Sequence, residues 1–167
     1  MKQKDLSQVR GSIVVVLDGP SGKRVHKTHN IITNAGDIYY AQRGCAAVPT
    51  NAFANLVLGS GAVAPAKGNN YDNITPIAST NKAPAATYPK VNDDDVDNTD
   101  AGVDVATYKY YYAKADFNAA SITEGVVTIA APEAGSPVLT HFQFAAPFAK
   151  TADDTLTIFV NHEMLGV

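Results

Sequence analysis

Residues 12–18 read S-I-V-V-V-L-D, and the chain then turns through Gly19-Pro20-Ser21-Gly22. Branching at Cβ restricts these side chains in a helix and suits them to a pleated surface, so the run predicts a strand. Pro20 sets its own φ, and the flanking glycines tolerate the backbone angles of a tight turn. Residues 23–32 return as a second strand, which commits the front of the chain to an antiparallel hairpin.

The next segment is closely punctuated. The hairpin runs out in N-I-I-T-N-A-G-D-I-Y-Y-A-Q-R-G. Thr33 can accept a hydrogen bond as an N-cap, and Asp37 places negative charge near the positive end of the helix dipole. Ile38, Tyr39 and Gln42 recur at helical spacing, and Gly44 is a natural stop. These signals predict a helix of about ten residues. Residues 53–58 then form an apolar strand ending in Gly59-Ser60-Gly61.

Residues 62–102 read as one long loop, broken by Pro65, Pro76, Pro84 and Pro89. Loops of this length are usually functional or packed on something. Its end, residues 92–100, holds five aspartates in nine positions. Strands resume at 103–115, 125–131, 137–144 and 155–163. Tyr108, Tyr110 and Tyr112 share one face of the first of these at period two. They read equally well as a partner-binding surface, where aromatics are enriched, and as sheet-core residues with hydroxyls at the rim. Seven strands and one short helix predict a mainly β protein: an antiparallel β-sandwich or jelly-roll-like barrel with an extended N-terminal arm. Residues 1–11 form the arm, and residues 12–167 a single domain.

Charge is uneven. Residues 1–43 carry seven Lys or Arg against three Asp, whereas residues 44–167 carry six Lys against thirteen Asp or Glu. Lys2, Lys4 and Arg10 in the arm suit an acidic partner surface, although such residues also simply solvate an arm. No basic run is interleaved with aromatics, which argues against specific nucleic-acid binding. The single Cys45 forms no internal disulfide and fits assembly in a reducing cytoplasm. No stretch of about eighteen apolar residues predicts a membrane span, and residues 1–10 lack the apolar segment of a secretory signal.

The motifs that suggest chemistry fail on inspection. I-V-V-V-L-D-G-P-S-G-K-R imitates a phosphate-binding loop, but Leu17 stands where its first glycine belongs and Arg24 where Ser or Thr would hold magnesium. The aspartate run lacks the glycine and glutamate spacing of a calcium loop and reads as solvated. His26, His29, His141 and His162 show no metal-ligand spacing, and all four read as ordinary strand or surface residues. Ser60 is not in a nucleophile elbow, since Leu58 and Ala62 replace its outer glycines. No catalytic residue, metal or cofactor is expected, and the chain does not read as an enzyme.

Three blocks, in order, carry a resemblance. Residues 29–36 (H-N-I-I-T-N-A-G) lead into the helix. Residues 55–61 (N-L-V-L-G-S-G) run into A-V-A-P-A at 62–66. Residues 150–158 (K-T-A-D-D-T-L-T-I) introduce the last strand. Together they resemble small β-rich structural proteins of tailed-bacteriophage virions. The resemblance implies a non-enzymatic building block of a head or tail. Tail-associated versions have a more regular region where this chain has its Pro- and Asp-rich loop, so the likeness is nearest to a capsid decoration (cement) protein. Such a protein is made in the host cytoplasm and sits on the capsid surface. It would bind the major capsid protein as a homo-dimer or homo-trimer and would stabilise the head. The partner-binding residues would be Lys2, Lys4 and Arg10, with Tyr108, Tyr110 and Tyr112. The alternatives are a tail, baseplate or fibre component, or a host-receptor or carbohydrate-binding module in which the tyrosines stack on sugar.

Overall fold

The computed structural model describes residues 8–165. Its elements are β1 (Gln8–Gly19), β2 (Gly22–Ile32), α1 (Asn34–Gly44), β3 (Asn55–Gly59), β4 (Lys90–Val91), β5 (Val105–Tyr112), β6 (Ala119–Thr128), β7 (Val138–Lys150) and β8 (Thr155–Leu165), with a 3-10 turn at Tyr71–Asn73. The strands form one antiparallel sheet, in the order β3-β6-β7-β2-β1-β8-β5-β4, which curls into a half-barrel. The mainly β, antiparallel expectation with one short helix therefore holds. The two walls facing each other across the core belong to one curled sheet.

β1 and β2 form the expected hairpin, with Gly19 opposite Gly22 across Pro20-Ser21. The strand begins earlier than expected: residues 8–11, read as part of an arm, already pair with β8, from Gln8 with Leu165 to Gly11 with His162. Only residues 1–7 of the expected arm remain, and they lie outside the described residues. β1 thus sits mid-sheet, paired with β2 on one side and β8 on the other.

Curling brings the two ends of the sheet together over a core that includes Ile13, Val15, Leu17, Leu56, Ile122 and Ile158. β6 and β7 pair with three register shifts, which bend that part of the sheet. The gap between β3 and β5 is closed by the first half of the long loop. Lys82 exchanges both backbone hydrogen bonds with Leu56 on β3, and Ala85 N–H donates to Lys109 O on β5. The Pro-rich segment therefore fills the position of a missing stave and satisfies edges that would otherwise be open.

Helix α1 forms as expected. Thr33 Oγ1 accepts from Gly36 N–H at 3.1 Å, and its hydroxyl donates to Val138 O. Its packed face differs from expectation, because Ile38 is exposed whereas Gly36 and Tyr39 are buried beside half-buried Ala35 and Tyr40. The i, i+4 pairs 35/39 and 36/40 face the core, and Gly36 is required because a Cβ there would come within 2.3 Å of Leu139 O.

Candidate functional site

The tyrosines resolve first. Tyr108, Tyr110 and Tyr112 alternate toward the inside of the curl and are 2%, 0% and 0% exposed. The Tyr110 hydroxyl donates to Ala54 O at 2.6 Å and that of Tyr112 to Thr80 O at 2.7 Å. Burial pushes all three phenols up. Their expected partner-binding role is therefore corrected: they tie β5 to the segments flanking and closing β3 across the core. Tyr111, on the opposite face, is the exposed member. With the strip buried, the sugar-stacking surface of the carbohydrate-binding alternative is lost.

Lys2 and Lys4 lie outside the described residues. Arg10 is exposed on β1 and pairs in register with Glu163. It lines a cleft of ≈ 400 Å³ with Ser12, His29, Asp100, Asp104 and Glu163. Among the described residues, Arg10 is the one predicted partner-binding residue on an accessible surface.

The outer side of the central strands carries an organised polar surface, and it involves the aspartate run. Pairing registers align Lys27 of β2, Val14 of β1, Phe159 of β8 and Lys109 of β5 in one row across four strands. The next row is His29, Ser12, Asn161 and Thr107. Val14, Val16 and Phe159 form a small buried cluster on this face, separate from the main core. Residues 92–102 cross over it as a strap. Asp95 accepts from Lys109 Nζ at 2.5 Å, Asp97 from Lys23 at 2.8 Å and Asp100 from Lys27 at 2.7 Å. Between these pairs Asn98 and Asn161 exchange amide hydrogen bonds at 3.0 and 2.9 Å, and Thr107 Oγ1 donates to Asn161 Oδ1.

The aspartate run is therefore not the solvated loop that its charge suggests. Asp93 is buried, accepting from Tyr88 O–H at 2.7 Å and Asn98 Nδ2 at 2.9 Å, with Lys90 Nζ at 3.1 Å. Burial raises its carboxyl, but the bonds from Asn98, Tyr88 and Lys90 outweigh that and hold it below the usual range. Burial and the neighbouring Asp93 push the Tyr88 phenol up to about 12. Among the described residues, no group of three or more His, Cys, Asp or Glu side chains is placed to hold a metal ion.

His29 is an exposed strand residue, as expected, but His141 and His162 are buried. His162 is fully buried on the core side of β8, between Tyr40 O–H (2.5 Å from Nδ1) and Asn30 Nδ2 (2.8 Å from Nε2). Burial drives it down to about 3, so it is neutral. His141 faces oxygen on both sides, Glu124 Oε2 at 3.3 Å and Asn69 Oδ1 at 2.8 Å. Glu124 Oε1 in turn accepts from the N–H groups of Gly61 and Thr75, anchoring both ends of the 62–74 excursion. Burial raises this carboxyl, while the bonds from His141, Thr75 and Gly61 outweigh it and leave it lowered. His26 stacks on Phe148 at 4.5 Å and 17°.

Sequence reasoning passed over Glu124, Asn98, Asn161 and Asn30. Glu124 and Asn30 share a signal, a polar residue at a strand position whose neighbours two apart are buried or half-buried; Asn98 lies in the strap and Asn161 on the outer face of β8, and neither carries it. No family model, no curated protein and no solved structure matches this chain.

Proposed function

We propose that the protein is a non-enzymatic structural subunit of a tailed-bacteriophage virion. In this reading it is a decoration protein that binds the major capsid protein at the head surface as a homo-dimer or homo-trimer. The observation that supports the reading is the position of β1. Residues 1–7 lead directly into a strand that is hydrogen-bonded on both sides and lies in the middle of the sheet. A partner gripping residues 1–7 would load β1 along its axis, in shear, so that many ladder bonds must yield together. A clamp needs such an anchor, and a segment attached to an edge strand would peel away one bond at a time. Backbone of residues 1–7 would add to an exposed strand edge of the capsid subunit, with Lys2, Lys4 and Arg10 meeting acidic side chains. Binding only the assembled shell would stabilise it by mass action.

The test is co-sedimentation with assembled heads, comparing the full chain with one lacking residues 1–7. The truncation leaves β1 intact, so its circular dichroism should match that of the full chain. Loss of binding, and a weaker loss with Arg10→Glu, is the expected result. If the truncated chain binds heads and protects them from heat as well as the full chain, the clamp reading is wrong. The tail, baseplate and fibre alternative predicts binding to tails and none to heads.

A further inference from the structure

The strap over the outer face is built as a separate piece. Its base is closed where Asn92 N–H donates to Gly102 O at 3.0 Å, just beyond the pairing of Val91 with Ala106. Within it, Asn98 N–H donates to Asp95 O, Asp97 N–H to Asp95 Oδ1, and Asn98 Nδ2 to Asp93 Oδ2. A loop with its ends joined and its interior self-bonded keeps its shape when it leaves a surface.

The sheet beneath does not depend on the strap for its hydrogen bonds. β1 pairs with β2 from Gly11 to Gly19 and with β8 from Gln8 to Asp18, and β5 pairs with β8 along its whole length. What the strap contributes is cover for Val14, Val16 and Phe159, and its hold combines the central bonds of Asn98 to Asn161 and Thr107 with Lys–Asp pairs at the sides. Lys23 and Lys27 pull from β2, Lys109 pulls from β5, and Lys90 holds the near end from β4. The opposing charges on this face are Asp18 beside Lys23, and Asp104 and Glu163 along the cleft.

We infer that residues 92–102 form a latched cover, held down at both sides of the sheet by Lys–Asp pairs, which releases as a unit and bares Val14, Val16 and Phe159 while the sheet stays folded. Lys23 and Lys27 are nearly half exposed, so salt reaches the β2 side of the latch. The β5 side is less accessible, since Lys109 is 25% exposed and its ammonium lies 5.6 Å from the Phe159 ring centroid.

Hydrogen exchange at neutral pH tests the latch, on the full chain and on a Lys23→Met/Lys27→Met/Lys109→Met variant that keeps the side-chain stems. In the variant, strap amides such as Asn98 and Ala101 should exchange about tenfold faster, while those of β1 and β8 keep their protection. In the natural chain, raising salt to about 1 M, where charges are screened within about 3 Å, should shift the strap in the same direction by a smaller factor. Unchanged strap exchange in the variant overturns the inference. So does a parallel rise in strap and sheet, because the strap would then be part of the sheet's cooperative unit. If the triple variant does not fold, the salt series on the natural chain decides by the same criterion.

Discussion

Acid should destabilise this protein well above the pH at which its carboxylates protonate, and His162 sets the size of the effect. The ring is wholly buried, with Nε2 facing the Asn30 amide nitrogen at 2.8 Å. Asn30 Nδ2 also donates to Thr140 Oγ1, and the Thr140 hydroxyl is spent on Ile31 O. Its Oδ1 occupies the space against Gly11 where a Cβ would stand, 1.5 Å from that position. A proton on Nε2 would meet a donor, and flipping the amide would strand Thr140. The neutral ring is therefore the form that suits the Asn30 donor, and burial takes the folded-state value from 6.5 to about 3.

For a histidine depressed on folding, the unfolded chain takes up a proton first. Stability is then full above the unfolded value and falls as pH drops from 6.5 toward 3. The slope is about 1.4 kcal/mol per pH unit, which gives a loss of roughly 2.7 kcal/mol by pH 4.5 relative to pH 8. Guanidinium melts from pH 8 to 4.5, on the natural chain and on His162→Gln, measure it. The variant should be less stable at pH 8 but should lose roughly 2–3 kcal/mol less on acidification. Every other titrating group, including the partly buried His26, is common to both chains and cancels. Parallel stability curves for the two proteins would refute the assignment.

Two further substitutions probe the packing. Gly125 lies opposite Phe142 in the β6–β7 ladder, and a Cβ there would approach the ring to 2.4 Å. Gly125→Ala should cost about 1–3 kcal/mol by overpacking, and Phe142→Leu should relieve part of that cost. A double-mutant cycle in which the two changes add within about 0.5 kcal/mol would show that the ring is not the obstacle. Tyr110→Phe removes the donor to Ala54 O and should cost about 1–3 kcal/mol in urea melts with an unchanged m-value. Head binding should be untouched once folding is matched, and weakened binding at equal stability would restore the interface role.

Local chemistry made some of this structure legible. The hairpin turn and the Thr33 cap depend on residues close in sequence and appear where they were read, whereas the helix runs through Gly44, is capped by Cys45 and takes its left-handed conformation at Ala46. One strand boundary that shifted has a local cause. Residues 145–150, A-A-P-F-A-K, look like a loop because Pro147 cannot donate, yet β7 continues through them, with Pro147 exposed and Lys150 paired with Ala119. The period-two tyrosines were visible, but whether that face is core depends on the curl, which brings Ala54 and Thr80 over them. The aspartates were visible too. Their partners Lys23 and Lys27 lie more than seventy positions away, and only the β2–β1–β8–β5 register brings them into reach. Glu124 and Asn161 were hidden for the same reason, since their partners lie far away in the chain.

The pairing of β1 with β8 also dictates an order of events in synthesis. β1 is synthesised well before β8, one of its two neighbours, so its ladder completes only after residue 165 has emerged. Until then the S-I-V-V-V-L-D strand carries one unpaired edge, rich in β-branched residues, beside a hairpin partner that emerges within seconds. Contacts of such long sequence separation slow folding. The nascent chain therefore carries this β-branched strand half covered until β8 has been made, which makes the strand a natural client for chaperones that bind apolar extended segments.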